Sequence, residues 1–145
     1  MTDALQDAID QVITALRDLP TTLPALRKVF DDPPETITAF PASVVYAEAG
    51  VWKIGPVGVM TGLHNVVVEL HFDRDADLAH TVQAALKFAQ AVPSRLLAAF
   101  LANELTALQT FEDITYTFGP LGWGGKATIG FKWTMRNVKM QSTIT

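Results

Sequence analysis

The sequence predicts an α+β domain. Its layout is two layers, a mainly antiparallel sheet of about five strands with helices packed on one face, in the order α-βββ-α(α)-ββ. Three observations predict it. Apolar residues in the first segment and in a central segment recur at helical spacing, whereas those near residues 66–72 and 127–135 alternate with period two. Short gaps between the alternating segments imply antiparallel neighbours, because a parallel pair needs a long crossover. Finally, 49% of the 145 residues are hydrophobic and none is cysteine, so a single domain over 1–145 must hold together by its packed core, without disulfides.

Residues 3–19 read as the first helix. Leu5, Ile9, Val12, Leu16 and Leu19 form its stripe, Thr2 is the expected N-cap, and Pro20 stops it. The stretch "TTLPALRKVFDDPPET" alternates prolines with short apolar pieces, a loop with one helical turn expected after Pro24. A first strand is expected over Ala42 to Ala47, ended by Gly50. "VWKIGPVGVMTG" is apolar but interrupted by Gly55, Pro56 and Gly58, which fits a hairpin arm or an edge strand. "HNVVVELHF" is the clearest strand of this half. Val66, Val68, Leu70 and Phe72 take one face, and Val67, Glu69 and His71 the other.

"DADLAHTVQAALKFAQAV" follows as a helix capped by Asp75 or Asp77. Pro93 is expected to end or kink it and to open a second helix, "PSRLLAAFLAN". "DITYTF" and "ATIGFKWTMR" close the chain as two alternating strands. Thr115, Thr117, Thr128, Lys132, Thr134 and Arg136 lie on the faces opposite their apolar residues.

The totals exclude several classes. The longest apolar run, Leu96 to Ala102, is far short of the ~20 residues of a membrane span. The acidic, amphipathic start is unlike a secretory signal. A formal charge of −4 argues against a general nucleic-acid binder. The charge is unevenly spread, however. After Asp113 there is no acid, but there are Lys126, Lys132, Arg136 and Lys139. A molecule so divided can set its acidic side against a neighbour's basic side.

The sharpest chemical question concerns "FGPLGWGGKAT", Phe118 to Thr128. A phosphate-binding loop needs its first glycine where Pro120 stands and a hydroxyl residue where Ala127 stands, and a helix must follow. A strand pattern follows instead, so these glycines read as the connection of two antiparallel strands. The "DRDAD" run puts Asp73, Asp75 and Asp77 at calcium-loop spacing. It then offers Leu78 where glycine is needed and Ala84 where glutamate is needed. The three histidines show no zinc-pair spacing. Glu69 and His71 share a strand face and can form an acid–base pair, the best that the sequence offers towards catalysis. No metal or other cofactor is expected.

Contact surfaces are easier to find. Trp123 stands between glycines at a loop tip, with Lys126 beside it. Trp52, Ile54, Val57 and Val59 lie in the interrupted arm. Tryptophans of this kind are enriched in interface hot spots. Trp123→Ala is therefore expected to weaken assembly more than folding.

In order, "FPASVVYAEAG", the interrupted arm, "VVVELHFDRDADL", a helical middle and "LGWGGKATIGFKWTM" resemble the tail terminator (tail completion) proteins of long-tailed bacteriophages, the lambda type among them. The resemblance runs over essentially the whole chain. The glycine-rich stretch is longer than in the lambda type, and the basic tail after Trp133 extends further.

The resemblance implies a structural virion protein and not an enzyme. It implies a homo-oligomeric ring, typically a hexamer, at the head–tail junction. Such a ring ends tube growth, contacts the tail tube protein and the head or neck completion protein, and meets DNA only as passing cargo. Assembly is in the host cytoplasm without a membrane. Within it, Trp52, Ile54, Val57, Val59, Trp123 and Lys126 are the candidate subunit or partner contacts, and Lys132 and Arg136 the candidate channel-facing residues. Besides a bacterial dimeric α+β binding module, which an isologous two-fold interface would favour over the ring, two other classes compete. One is another neck, head-completion or tail-tube protein. The other is a small ligand-binding or enzymatic α+β domain using Glu69, His71 and Asp73, which requires a concave pocket around those side chains.

Overall fold

The computed structural model describes residues 3–19, 28–74 and 78–143 and has an α+β fold. Helix α1 spans Ala4–Arg17. Its first turn is capped by Asp3, whose Oδ1 accepts the backbone N–H of Gln6 at 3.0 Å. The expected cap, Thr2, lies outside the described residues. Ala8, Val12, Ala15 and Leu16 form the buried stripe, and the chain leaves helical geometry at Asp18, before Pro20. The turn expected after Pro24 and the caps expected at Asp75 or Asp77 also lie outside the described residues.

The strands are β1 (Lys28–Val29), β2 (Ala42–Ile54), β3 (Val59–Asp73), β4 (Asp113–Trp123) and β5 (Lys126–Thr143). They form one sheet in the order β1-β2-β3-β5-β4. The four long strands are antiparallel, and β1 adds a two-residue parallel pairing to β2. Residues 30–41 make the dozen-residue crossover that a parallel pair demands.

Two long strands stand where three were expected before the central helices. Gly50 does not end the first strand. β2 absorbs a bulge between Ala47 and Ala49 and continues to Ile54, which pairs with Met60. The glycines and proline that interrupt the apolar arm are the hairpin turn itself, at residues 55–58.

β5 likewise outruns its expected end at Arg136. Asn137 takes a left-handed conformation (φ 53) and donates its N–H to Asn65 Oδ1 at 3.1 Å. This second bulge resets the alternation, so Val138 and Met140 return to the buried side and β5 pairs with β3 as far as Thr143.

Helices α2 (Leu78–Leu86) and α3 (Phe88–Leu101) fill the middle of the chain. The break falls at Lys87, not at Pro93. Pro93 lies inside α3, where it withholds one backbone donor without ending the helix.

The main core joins Val12 and Leu16 of α1 and Phe88, Val92 and Leu96 of α3 to Val66, Val68, Leu70, Phe131, Trp133 and Met135 of the sheet. Val66, Val68, Leu70 and Phe72 of β3 point to this core. Val67, Glu69 and His71 point the other way, as the period-two pattern predicts. A second, smaller cluster lies there, where Ile37, Phe30 and Phe40 of the crossover meet Ala42, Val44, Tyr46 and Trp123.

Candidate assembly surface

In the outer half of the β2–β3 hairpin the β2 strand and the turn are largely apolar and exposed. β2 is buried from Ala42 to Val45 and exposed from Glu48 to Ile54. At the turn, Ile54 is 84% exposed and Val57 95%. Val57 also holds a left-handed backbone (φ 59). A β-branched residue in that region is a steric outlier costing on the order of 1–3 kcal/mol. The turn closes through the Gly55 N–H, which donates to the Val59 carbonyl at 2.7 Å. Val59 itself is half-buried.

Trp52 folds over the arm instead of standing free. Its ring centroid lies 4.7 Å from that of His64. Glycine makes room for the pair. A Cβ at Gly50 would come within 2.0 Å of His64, and one at Gly62 within 2.8 Å of Trp52. His64 is 6% exposed, and burial pushes its imidazole below the ordinary histidine range. The arm thus has a stiff aromatic base and a bare aliphatic tip.

The glycine-rich stretch connects two antiparallel strands, as expected from the sequence. Gly124 and Gly125 form a tight turn with φ 58 and 82, between Trp123 and Lys126, which pair in register. Trp123 is not carried outward. Its Nε1–H donates to the Pro34 carbonyl at 2.7 Å, and its ring lies 6.1 Å from Tyr46 and 5.9 Å from His71. Lys126 turns back as well, with Nζ 4.9 Å from the Phe40 ring centroid and 3.9 Å from Asp73 Oδ1. Trp123 is thus half-buried against the molecule's own crossover, and Lys126, still exposed, leans over Phe40 of the same segment.

Beneath Trp123 runs a buried polar chain. Tyr46 donates its hydroxyl to Glu69 Oε2. Glu69 Oε1 lies 3.0 Å from His71 Nε2, and His71 Nδ1 lies 2.6 Å from Thr128 Oγ1. Burial raises the Glu69 carboxyl, but hydrogen bonds from His71 and Tyr46, with the charges of His71 and Lys132, outweigh it and hold the group below its ordinary range. Burial and the Glu69 contact push the Tyr46 hydroxyl well above its usual range.

Sequence periodicity places Glu69 and His71 together. It misses Tyr46 and Thr128, which arrive from other strands through register. His71 is 0% exposed and Glu69 7%, so the pair lies buried beneath the Trp123 ring. Asp73, at the strand end, faces Lys126 instead.

Lys132 and Arg136 lie on the polar sheet face with their charges matched. Lys132 Nζ meets Glu48 Oε2 at 2.5 Å, and Arg136 makes a two-pronged contact with Asp113 at 2.6 and 2.5 Å. The Arg136 hydrogen bonds hold the Asp113 carboxyl below its ordinary range.

Among the described residues no group of three His, Asp or Glu side chains gathers as a metal would need, and no helix is long and apolar enough to cross a membrane. No protein-family model matches the sequence, and no curated protein matches it significantly.

Proposed function

We propose that this chain is a structural virion protein of the tail-terminator kind, without catalytic activity. Copies close into a ring, typically of six, that caps the tail tube, ends its polymerisation and offers a surface to the head or neck. The observation that carries the reading is the hairpin tip, where Ile54 and Val57 are exposed and Val57 is conformationally strained. A lone subunit gains nothing from such a tip, whereas an assembling one gains a contact. The segment order of the sequence supports the same reading. With it comes the two-layer arrangement of about five strands with helices on one face.

Lys132 and Arg136 then face the channel. Because Glu48 and Asp113 match their charges, such a lining is polar without strong attraction for passing DNA. The burial of Glu69 and His71 favours this reading over the enzymatic alternative.

Electron microscopy with mass measurement tests the proposal, first on the purified protein and then on protein added to polymerising tail tubes. Rings that sit at tube ends and fix tube length are expected. A chain that remains monomeric at every concentration and leaves tube length unchanged overturns it.

A further inference from the structure

Among the described residues the sheet ends in two strand edges without a pairing partner. β4 is the last strand on one side. On the other side β1 pairs only with Ala42 and Ser43, so the outer half of β2 is an edge too.

The two turns determine which main-chain groups face outward. Trp123 and Lys126 flank the two-residue turn Gly124–Gly125, so they form a hydrogen-bonded pair. Bonded and unbonded pairs alternate along an antiparallel ladder. Odd-numbered β4 residues therefore bond to β5, while Ile114, Tyr116 and Phe118 turn their N–H and C=O groups to the free edge. Pro120 belongs to the same outward set, so the donor it lacks is one that β5 would not use. At the other hairpin the Gly55 N–H donates to the Val59 carbonyl. Val51 and Lys53 accordingly bond to β3, and Gly50, Trp52 and Ile54 face outward.

Edge strands are ordinarily guarded by charge, proline or a bulge. Residues 114–118 of β4, "ITYTF", carry none of these and are all good strand formers. Tyr116 at their centre is 58% exposed. Along the β2 edge Val51, Trp52 and Ile54 are exposed, and Lys53 is the one charge. Only another extended strand satisfies a row of such main-chain groups. The chain itself supplies one of the right direction. Every step in the order β2-β3-β5-β4 is antiparallel, so β4 runs opposite to β2.

We infer that β4 of one copy pairs antiparallel with the outer half of β2 of the next copy, Tyr116 opposite Trp52, Ile114 opposite Ile54 and Phe118 opposite Gly50. The contact rests on the ring reading above and names the two edges through which subunits join. Both sets of side chains lie on the helix side of the sheet. Tyr116 and Phe118 pack on Phe131, while Trp52 and Ile54 share by register the face of Val138 and Met140. Apolar side chains thus meet apolar ones, and no like charges face each other. The two edges differ, so the contact is heterologous and closes a ring when the repeated rotation closes. Pairing β4 with β4 about a two-fold would leave the β2 edge bare.

The chain has no cysteine, so introduced thiols report the contact without background. The register sets Thr117 directly opposite Val51, both exposed, in an unbonded pair whose side chains approach closely. Thr117→Cys and Val51→Cys are made as separate proteins and oxidised mildly, alone and mixed. Covalent dimers are expected only in the mixture, and a ladder of oligomers in the double variant. Tyr116→Pro removes the central outward donor, whereas Tyr116→Val keeps it. The proline variant is expected to raise the concentration for half-assembly at least about tenfold, and the valine variant far less.

Dimers from either cysteine variant alone mean that like edges pair, which overturns the inference. Equal assembly defects in Tyr116→Pro and Tyr116→Val assign the contact to the tyrosine ring and overturn main-chain pairing. A mixture without cross-links, while mass measurement still finds rings, overturns this contact and leaves the ring reading standing. Cross-linked chains that grow without closing keep the contact and remove the ring. Neither cross-link nor ring under any condition removes both.

Discussion

The indole N–H of Trp123 donates to the Pro34 carbonyl at 2.7 Å, across 89 positions of sequence. This bond ties the β4–β5 turn to the crossover between β1 and β2. The ring then covers Tyr46 and His71. Trp123→Ala removes the bond, opens the second core cluster and admits water to the Glu69–His71 pair. For a half-buried tryptophan the expected loss is about 2–3 kcal/mol, below the full core range. Urea unfolding of the subunit under dissociating conditions measures it. An unchanged midpoint with lost assembly would restore the contact role expected from sequence.

The turn glycines beside Trp123 should respond unequally. Both hold left-handed backbone, so alanine strains each by about 1 kcal/mol. At Gly125 a Cβ would meet nothing within 4 Å, whereas at Gly124 it would come within 2.2 Å of the Glu35 carbonyl oxygen. Gly124→Ala must therefore push the crossover away as well. It is expected to destabilise clearly more than Gly125→Ala in paired thermal melts. Equal effects would mean that the crossover is not held by this approach.

These contacts mark where the sequence stops being legible. The alternation in "HNVVVELHF" sorts β3 correctly, because period two is a local property. The failure of the glycine stretch as a phosphate loop is equally local, resting on Pro120, Ala127 and the strand that follows. The cover over Trp123 is not local, since nothing near residue 123 points to Pro34. The buried chain is half legible for the same reason. Glu69 and His71 are two residues apart, while Tyr46 and Thr128 join them only through strand register. The strand ends are illegible where bulges at residues 48 and 137 reset the alternation, so a continuing strand looks like an ending one.

Acid should weaken the fold in two stages. The His64 imidazole is pushed below 6.5 in the folded chain, so the unfolded chain takes up a proton first as pH falls through that value. Stability therefore declines from about pH 6.5 until the folded histidine also protonates. Glu69 is held below 4.5, so its contribution is present above that value and is lost as pH falls through the folded pKa. Unfolding free energies at stepped pH, with His64→Phe and Glu69→Gln, separate the stages. His64→Phe should flatten the upper stage and Glu69→Gln the lower. A slope untouched by either substitution assigns acid sensitivity to other groups.

The tip gives the prediction that sets stability against assembly. Val57 is 95% exposed, so its side chain contributes almost no burial to the lone subunit, yet its φ of 59 strains a β-branched residue. Val57→Gly relieves that strain but frees the unfolded chain, two effects of similar size and opposite sign. The net change in subunit stability is expected to stay within about 1 kcal/mol, with stabilisation where strain relief dominates. Assembly should nevertheless weaken, because glycine offers no aliphatic surface to a neighbour. Denaturant unfolding and sedimentation of the same preparation read both quantities. Loss of several kcal/mol without any assembly defect would make Val57 a structural residue of the turn, and the strained tip would no longer argue for a partner.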